Sequence, residues 1–106
     1  MIGIDIVNIS RISRIMERYE KHFLEKIFTS HERTTMNKTK TFHETIAGRF
    51  AAKEAFMKAY GKPLPWRDIE VLVNNGKPFI RFSGKEYSGV SISHEKTYAV
   101  SVVMIE

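Results

Sequence analysis

One run constrains the fold of this 106-residue chain more than any other: Gly48-Arg49-Phe50-Ala51-Ala52-Lys53-Glu54-Ala55-Phe56-Met57-Lys58-Ala59. Ala, Phe, Met, Lys and Glu dominate it, and no Pro or Gly follows Gly48 until Gly61, so it predicts helix. At about 100° per residue, Ile46, Phe50 and Met57 fall on one side and Ala51 and Ala55 roughly opposite. Ala52, Phe56 and Tyr60 cover much of the remainder. A helix that is apolar nearly all round is packed on most sides, so the rest of the chain has to wrap it. Glu54 and Lys58, one turn apart, project between the two apolar stripes. Charges in such a surround are costly unless they meet partners, a metal or a charged ligand. The pair is therefore a candidate active site. The plain alternative is an i,i+4 ion pair worth about 0.2–0.5 kcal/mol.

The remaining pattern predicts one α+β domain over residues 1–106, with a mostly antiparallel sheet packed against the long helix. Ile2 to Val7 alternates as a strand, with Ile2, Ile4 and Ile6 on one face and Gly3, Asp5 and Val7 on the other. A helix is expected from about Ile9 to Tyr19, with Ile9, Ile12, Ile15, Met16 and Tyr19 as its apolar face and Asn8 or Ser10 as its cap. Phe23 to Phe28 reads as a short helical turn, and Thr29 or Ser30 caps another through His31, Glu32 and Arg33. Thr34 to Thr41 reads as a polar, basic loop. The long helix spans about Phe42 to Tyr60, stopped by Gly61, with Pro63 and Pro65 barring its resumption. Ile69 to Asn74 and Phe79 to Phe82 flank the turn signal Asn75-Gly76. Ser83 to Gly89 reads as a connection, and Val90 to Ser93 and Tyr98 to Ile105 as a second hairpin.

Composition bounds the function. With no Cys, disulfide and zinc-thiolate chemistry are excluded. The apolar runs fall far short of a membrane span, and no signal-peptide pattern opens the chain, so no membrane partner and a cytoplasmic location are expected. Hydrophobic residues make up 42% of the chain, enough for only a thin core that oligomerisation would help. The net charge of +5 implies an anionic partner without naming it; nucleic acid, an acidic protein and a phosphorylated cofactor all fit. Arg11, Arg14 and Arg18 form a stripe of one sign opposite the apolar face of the first helix, which an acidic partner explains better than solvent does.

Asp5 lies in an otherwise apolar strand and Glu54 in a mostly apolar helix. Carboxylates of this kind suit Mg²⁺, which takes one or two of them together with substrate phosphates and waters. Asp5 also has a plain reading, as a charge that keeps a sheet edge from aggregating. Arg49 and Lys53, one turn apart, can both serve phosphate, and Lys40 in the basic loop is a further phosphate candidate. His94 follows a strand, where a hydrogen-bonded turn histidine is the plain reading. For His22, His31 and His43 the plain reading is kept.

The segment Gly-Arg-Phe-Ala-Ala-Lys-Glu-Ala-Phe-x-Lys-Ala is similar to the signature of the holo-[acyl-carrier-protein] synthases, the small bacterial 4′-phosphopantetheinyl transferases. Gly3-Ile4-Asp5-Ile6-Val7, Phe28-Thr29-Ser30-His31-Glu32, Trp66-Arg67-Asp68-Ile69-Glu70-Val71, Gly76-Lys77-Pro78 and Ser91-Ile92-Ser93-His94-Glu95 resemble further elements of that family, in its order. The connection 83–89 and the segment ahead of Asp5 are shorter than is usual there. The resemblance implies transfer of the 4′-phosphopantetheine group of coenzyme A to a serine of an acyl carrier protein, with release of 3′,5′-ADP, for fatty acid biosynthesis. It implies Mg²⁺ on Asp5 and Glu54, and Lys58 on a diphosphate oxygen. Arg49 and His94 would serve the nucleotide with its 3′-phosphate. It also implies a homotrimer with sites between subunits, and Arg11, Arg14 and Arg18 facing the acidic carrier. The reading from a different class is a non-enzymatic basic module that binds nucleic acid through Arg11, Arg14, Arg18, Lys38 and Lys40. Its weakness is that no aromatic is expected among those charges and no nucleic-acid motif is present.

Overall fold

The helix that is apolar on nearly every side lies at the centre. A computed structural model describes all 106 residues. In chain order it contains β1 (Ile2–Asn8), α1 (Ile9–Ile27), α2 (Ser30–Thr35), α3 (Phe42–Tyr60), a 3-10 turn (Trp66–Asp68), β2 (Ile69–Asn74), β3 (Lys77–Phe82), β4 (Lys85–Tyr87), β5 (Val90–His94) and β6 (Tyr98–Met104). α3 has the predicted bounds and ends where Gly61 turns left-handed at φ 97°. It serves two cores. Ile46, Ala47 and Ala51 pack with Val7, Ile9, Ile12, Met16, Ile27 and Phe28. Ala52, Ala55, Phe56 and Ala59 pack with Ile69, Val71, Ile80 and Val103.

The strands form two antiparallel three-stranded sheets, ordered β1–β6–β5 and β2–β3–β4. The α+β class holds, but 83–89 is more than a connection. Ser83-Gly84 adopts positive φ at both residues (52° and 77°), as Asn75-Gly76 does (52° and 77°), and so makes a second tight hairpin turn into the short β4. α1 also runs eight residues past its expected end. The chain kinks at Tyr19 (φ −137°, ψ 35°) and the Phe23 turn continues the same helix. The kink throws Tyr19 outward, 56% exposed, with the Arg18 guanidinium over its ring, which corrects its placement on the buried face. Asn8 caps α1, accepting from the N–H groups of Ser10 and Arg11. Thr29 caps α2 in a reciprocal capping box with Glu32.

β1 is held hard against α3. A methyl group on Gly3 would lie 2.0 Å from the carbonyl oxygen of Ala55 and 2.7 Å from the nitrogen of Ala59, so only glycine permits this crossing. Because side chains alternate along a strand, Gly3, Asp5 and Val7 turn toward the helix, while Ile2, Ile4 and Ile6 are about 60% exposed on the other face (63%, 59% and 60%). Opposite them in register stand Met104, Val102 and Val100. That face is a continuous apolar surface.

Candidate active site

The crossing at Gly3 brings Asp5 to Glu54 and Lys58. Lys58 does not pair with Glu54 along the helix. Its ammonium donates instead to Asp5 Oδ1 at 3.1 Å and to the Ile4 carbonyl at 2.9 Å, clasping β1 to α3. Glu54 takes part in none of the four ion pairs of the chain. Burial, and after it the neighbouring Asp5 carboxylate, raise the pKa of Glu54 above its ordinary value, while Lys58 and Arg11 pull the other way. Asp5 Oδ2 is the one buried side-chain polar atom without a hydrogen-bond partner. Two adjacent carboxylates that repel each other, one with an orphaned buried oxygen, fit a small hard cation with oxygen ligands. No cluster of three or more metal-ligating side chains exists, so an ion held here would take its remaining ligands from water or substrate.

Glu54 separates two grooves. One, of about 290 Å³, holds Asp5, Glu54 and Arg11 against an apolar wall that includes Ile12, Ile15, Phe23 and Phe50. The other, of about 420 Å³, is lined by Glu54, Met57, Lys58, Gly61, Lys62 and Pro63. Arg11 therefore stands at the rim of the first groove. Arg14 and Arg18 are exposed on the same helix, and none of the three arginines is ion-paired.

Arg49 belongs to a different cleft, of about 420 Å³, with His31, Thr35, Asn74, Phe79 and Arg81 among its walls. Its guanidinium donates to Thr35 Oγ1 at 3.3 Å, and no carboxylate lies within ion-pair distance. Burial presses its pKa down, with Glu32 acting in the opposite sense. An under-partnered, half-buried guanidinium of this kind is suited to an anion. His31, read as an ordinary surface histidine, shares this cleft; the basic and polar residues that also line it come from four elements, which no local pattern reveals. His94 is exposed at the end of β5 and lines neither the Arg49 cleft nor the grooves beside Glu54. Lys40 is exposed ahead of α3, beside the Lys38–Glu20 ion pair. His43 Nδ1 shares a 2.8 Å hydrogen bond with Ser13 Oγ.

Lys53 is a correction. It is wholly buried and cannot meet a phosphate. Its ammonium donates to Glu32 Oε1 at 2.7 Å, to the Ile27 carbonyl at 2.7 Å and to the Trp66 carbonyl at 3.1 Å. Glu32, equally buried, also accepts from the N–H groups of Thr29 and Val71. The expectation failed because Lys53 and Arg49 share a helix face, but α2 and the 3-10 turn close over the first and leave the second open.

Residues 1–103 match the model of the 4′-phosphopantetheinyl transferase superfamily. The chain is 46% identical to a holo-[acyl-carrier-protein] synthase of Chloroherpeton thalassium, over 99% of this chain and 96% of that one. Its fold is similar to the Helicobacter pylori holo-[acyl-carrier-protein] synthase solved in complex with coenzyme A (TM-score 0.89, 32% identity, 100% of both chains). It is also similar to the Bacillus anthracis synthase in complex with CoA (3′,5′-ADP) (TM-score 0.85, 40% identity, 96% of this chain and 91% of that one).

Proposed function

Because this chain belongs to the 4′-phosphopantetheinyl transferase superfamily, we propose that it transfers the 4′-phosphopantetheine group of coenzyme A to a serine of an apo acyl carrier protein. The serine oxygen bonds to the phosphorus that carries the pantetheine arm. The bridging oxygen–phosphorus bond breaks, 3′,5′-ADP leaves with the bonding electrons, and the serine proton passes to water. The observation that carries the reading is Asp5, held by Lys58 beside the unpaired Glu54, with its orphaned carboxylate oxygen.

Asp5 and Glu54 would hold Mg²⁺, which when bound neutralises charge on phosphate oxygens. Lys58 is anchored on Asp5 and offers its remaining donor to a diphosphate oxygen, where charge grows as the leaving group departs. Arg49 serves the 3′-phosphate, with Lys40 and His94 on the same nucleotide. The apolar groove with Arg11 at its rim lies on one side of Glu54 and the lysine-lined groove on the other. The carrier then approaches along α1, where Arg14 and Arg18 extend the basic rim, and coenzyme A comes from the opposite side.

In this reading residues 1–106 act as one transferase domain in fatty acid biosynthesis in the cytoplasm; no helix is long and apolar enough to cross a membrane. The working form is a homotrimer with sites between copies. The exposed face of Ile2, Ile4, Ile6 and Met104 supports burial against another copy, and His94, absent from the Arg49 cleft of its own chain, then serves a neighbour's nucleotide. Nothing in the structure favours nucleic acid beyond the exposure of Tyr19 beside Arg18. The test is chromatography of coenzyme A incubated with the protein, Mg²⁺ and apo carrier. One 3′,5′-ADP should appear for each carrier modified, and none without carrier. Coenzyme A left intact in the complete mixture would refute the reading.

A further inference from the structure

We propose that Lys62 is a second cation for the diphosphate of coenzyme A, acting with Lys58 in the groove that both line; the inference rests on the transferase reading above. The groove beyond Glu54 is lined by Glu54, Met57, Lys58, Gly61, Lys62 and Pro63. Two of those side chains are lysines, and they differ in how far they are committed. Lys58 already spends two hydrogen bonds on Asp5 and on the Ile4 carbonyl. Lys62 is exposed and joins no ion pair. The Tyr60 ring centroid lies 5.9 Å from Lys62 Nζ, a cation–π contact at the outer limit of range that leaves the ammonium's hydrogen-bond donors free. The backbone sets its place. Gly61 turns the chain left-handed at φ 97°, and Pro63 restricts the residue before it to extended conformations. Lys62 thus stands on the wall of the groove rather than trailing from the helix end.

Lys62 places a second positive charge beside Lys58 in a groove whose one carboxylate is Glu54, where a diphosphate with one negative charge on each phosphorus would meet both lysines. The plain alternative is a solvated lysine near the carbonyl end of α3, stabilised by the helix dipole.

The test compares wild-type protein with Lys62→Met and Lys62→Arg by calorimetric titration with coenzyme A and with 3′-dephospho-coenzyme A, both with Mg²⁺. The expected result is a loss of about three- to fivefold in affinity for both ligands in Lys62→Met, equal within error, and recovery in Lys62→Arg. The melting temperature should not change, since the side chain is exposed. Unchanged binding by Lys62→Met would overturn the inference while the transferase reading stands. A loss confined to coenzyme A would overturn it too, because it would place Lys62 on the 3′-phosphate. Failure of the wild-type protein to bind either ligand would bring down both readings together.

Discussion

At the scale of single residues, two lysines one turn and a half apart on α3 have opposite fates. Lys58 is more than half exposed and its partner Asp5 is nearly buried (56% against 12% for the side chains). Lys53 and Glu32 are both wholly buried. Breaking a buried pair leaves a charge without compensation, at a cost of about 3–5 kcal/mol. Lys53→Met should therefore lower the urea midpoint sharply and reduce soluble yield, without a selective rise in KM for coenzyme A. Arg49→Met should do the reverse, with the fold intact and KM for coenzyme A raised. A Lys53→Met protein of normal stability would contradict the structural role. The carboxylates and Lys58 were legible in the sequence because polar groups on apolar elements stand out. The role of Lys53 was not, because its partners lie 21 residues upstream and 13 downstream. Two of the motifs, Phe-Thr-x-x-Glu and the Lys of the long helix, are one buried unit and could be assigned only once α2 was seen to close over α3.

At the scale of elements, the site depends on how β1 crosses α3. Gly3→Ala would place a methyl group 2.0 Å from a backbone oxygen. Overpacking against backbone typically costs about 1–3 kcal/mol. More to the point, the strand would shift and carry Asp5 away from Glu54. We expect Gly3→Ala to lose most of its turnover at a temperature where circular dichroism still reports a folded protein. Full activity would show that Asp5 is placed by something other than this crossing. α1 makes a second claim. Reversing Arg14 and Arg18 to Glu should raise KM for the carrier strongly and leave KM for coenzyme A nearly unchanged, with each rim contact contributing at most about 1 kcal/mol. Added salt should weaken the wild-type protein for its carrier more than the mutant. If both KM values move together, the stripe is no dedicated carrier surface. α3, β1, β2 and the capped helix starts followed from local pattern. The continuation of α1 through Tyr19 and the strand β4 did not. A kink that keeps a helix going, and a three-residue strand paired only to β3, are both settled by packing rather than propensity.

At the scale of the whole molecule, the proposed assembly of copies would account both for the apolar outer face of β1 and β6 and for the separation of His94 from Arg49. Ile4→Glu should dissociate the oligomer in sedimentation and abolish turnover, and wild-type activity per chain should fall on dilution. A monomer with full activity at assay concentration would contradict assembly while leaving the chemistry in place. The central claim is that the paired carboxylates of Asp5 and Glu54 mark where the group is transferred. Its most direct test is the intact mass of an apo carrier after incubation with coenzyme A, Mg²⁺ and either wild-type protein, Asp5→Asn or Glu54→Gln. The wild-type protein should add one phosphopantetheine to the carrier, reversibly blocked by a chelator, and the two folded variants should add none. Carrier modified as completely by either variant as by the wild type would contradict the account.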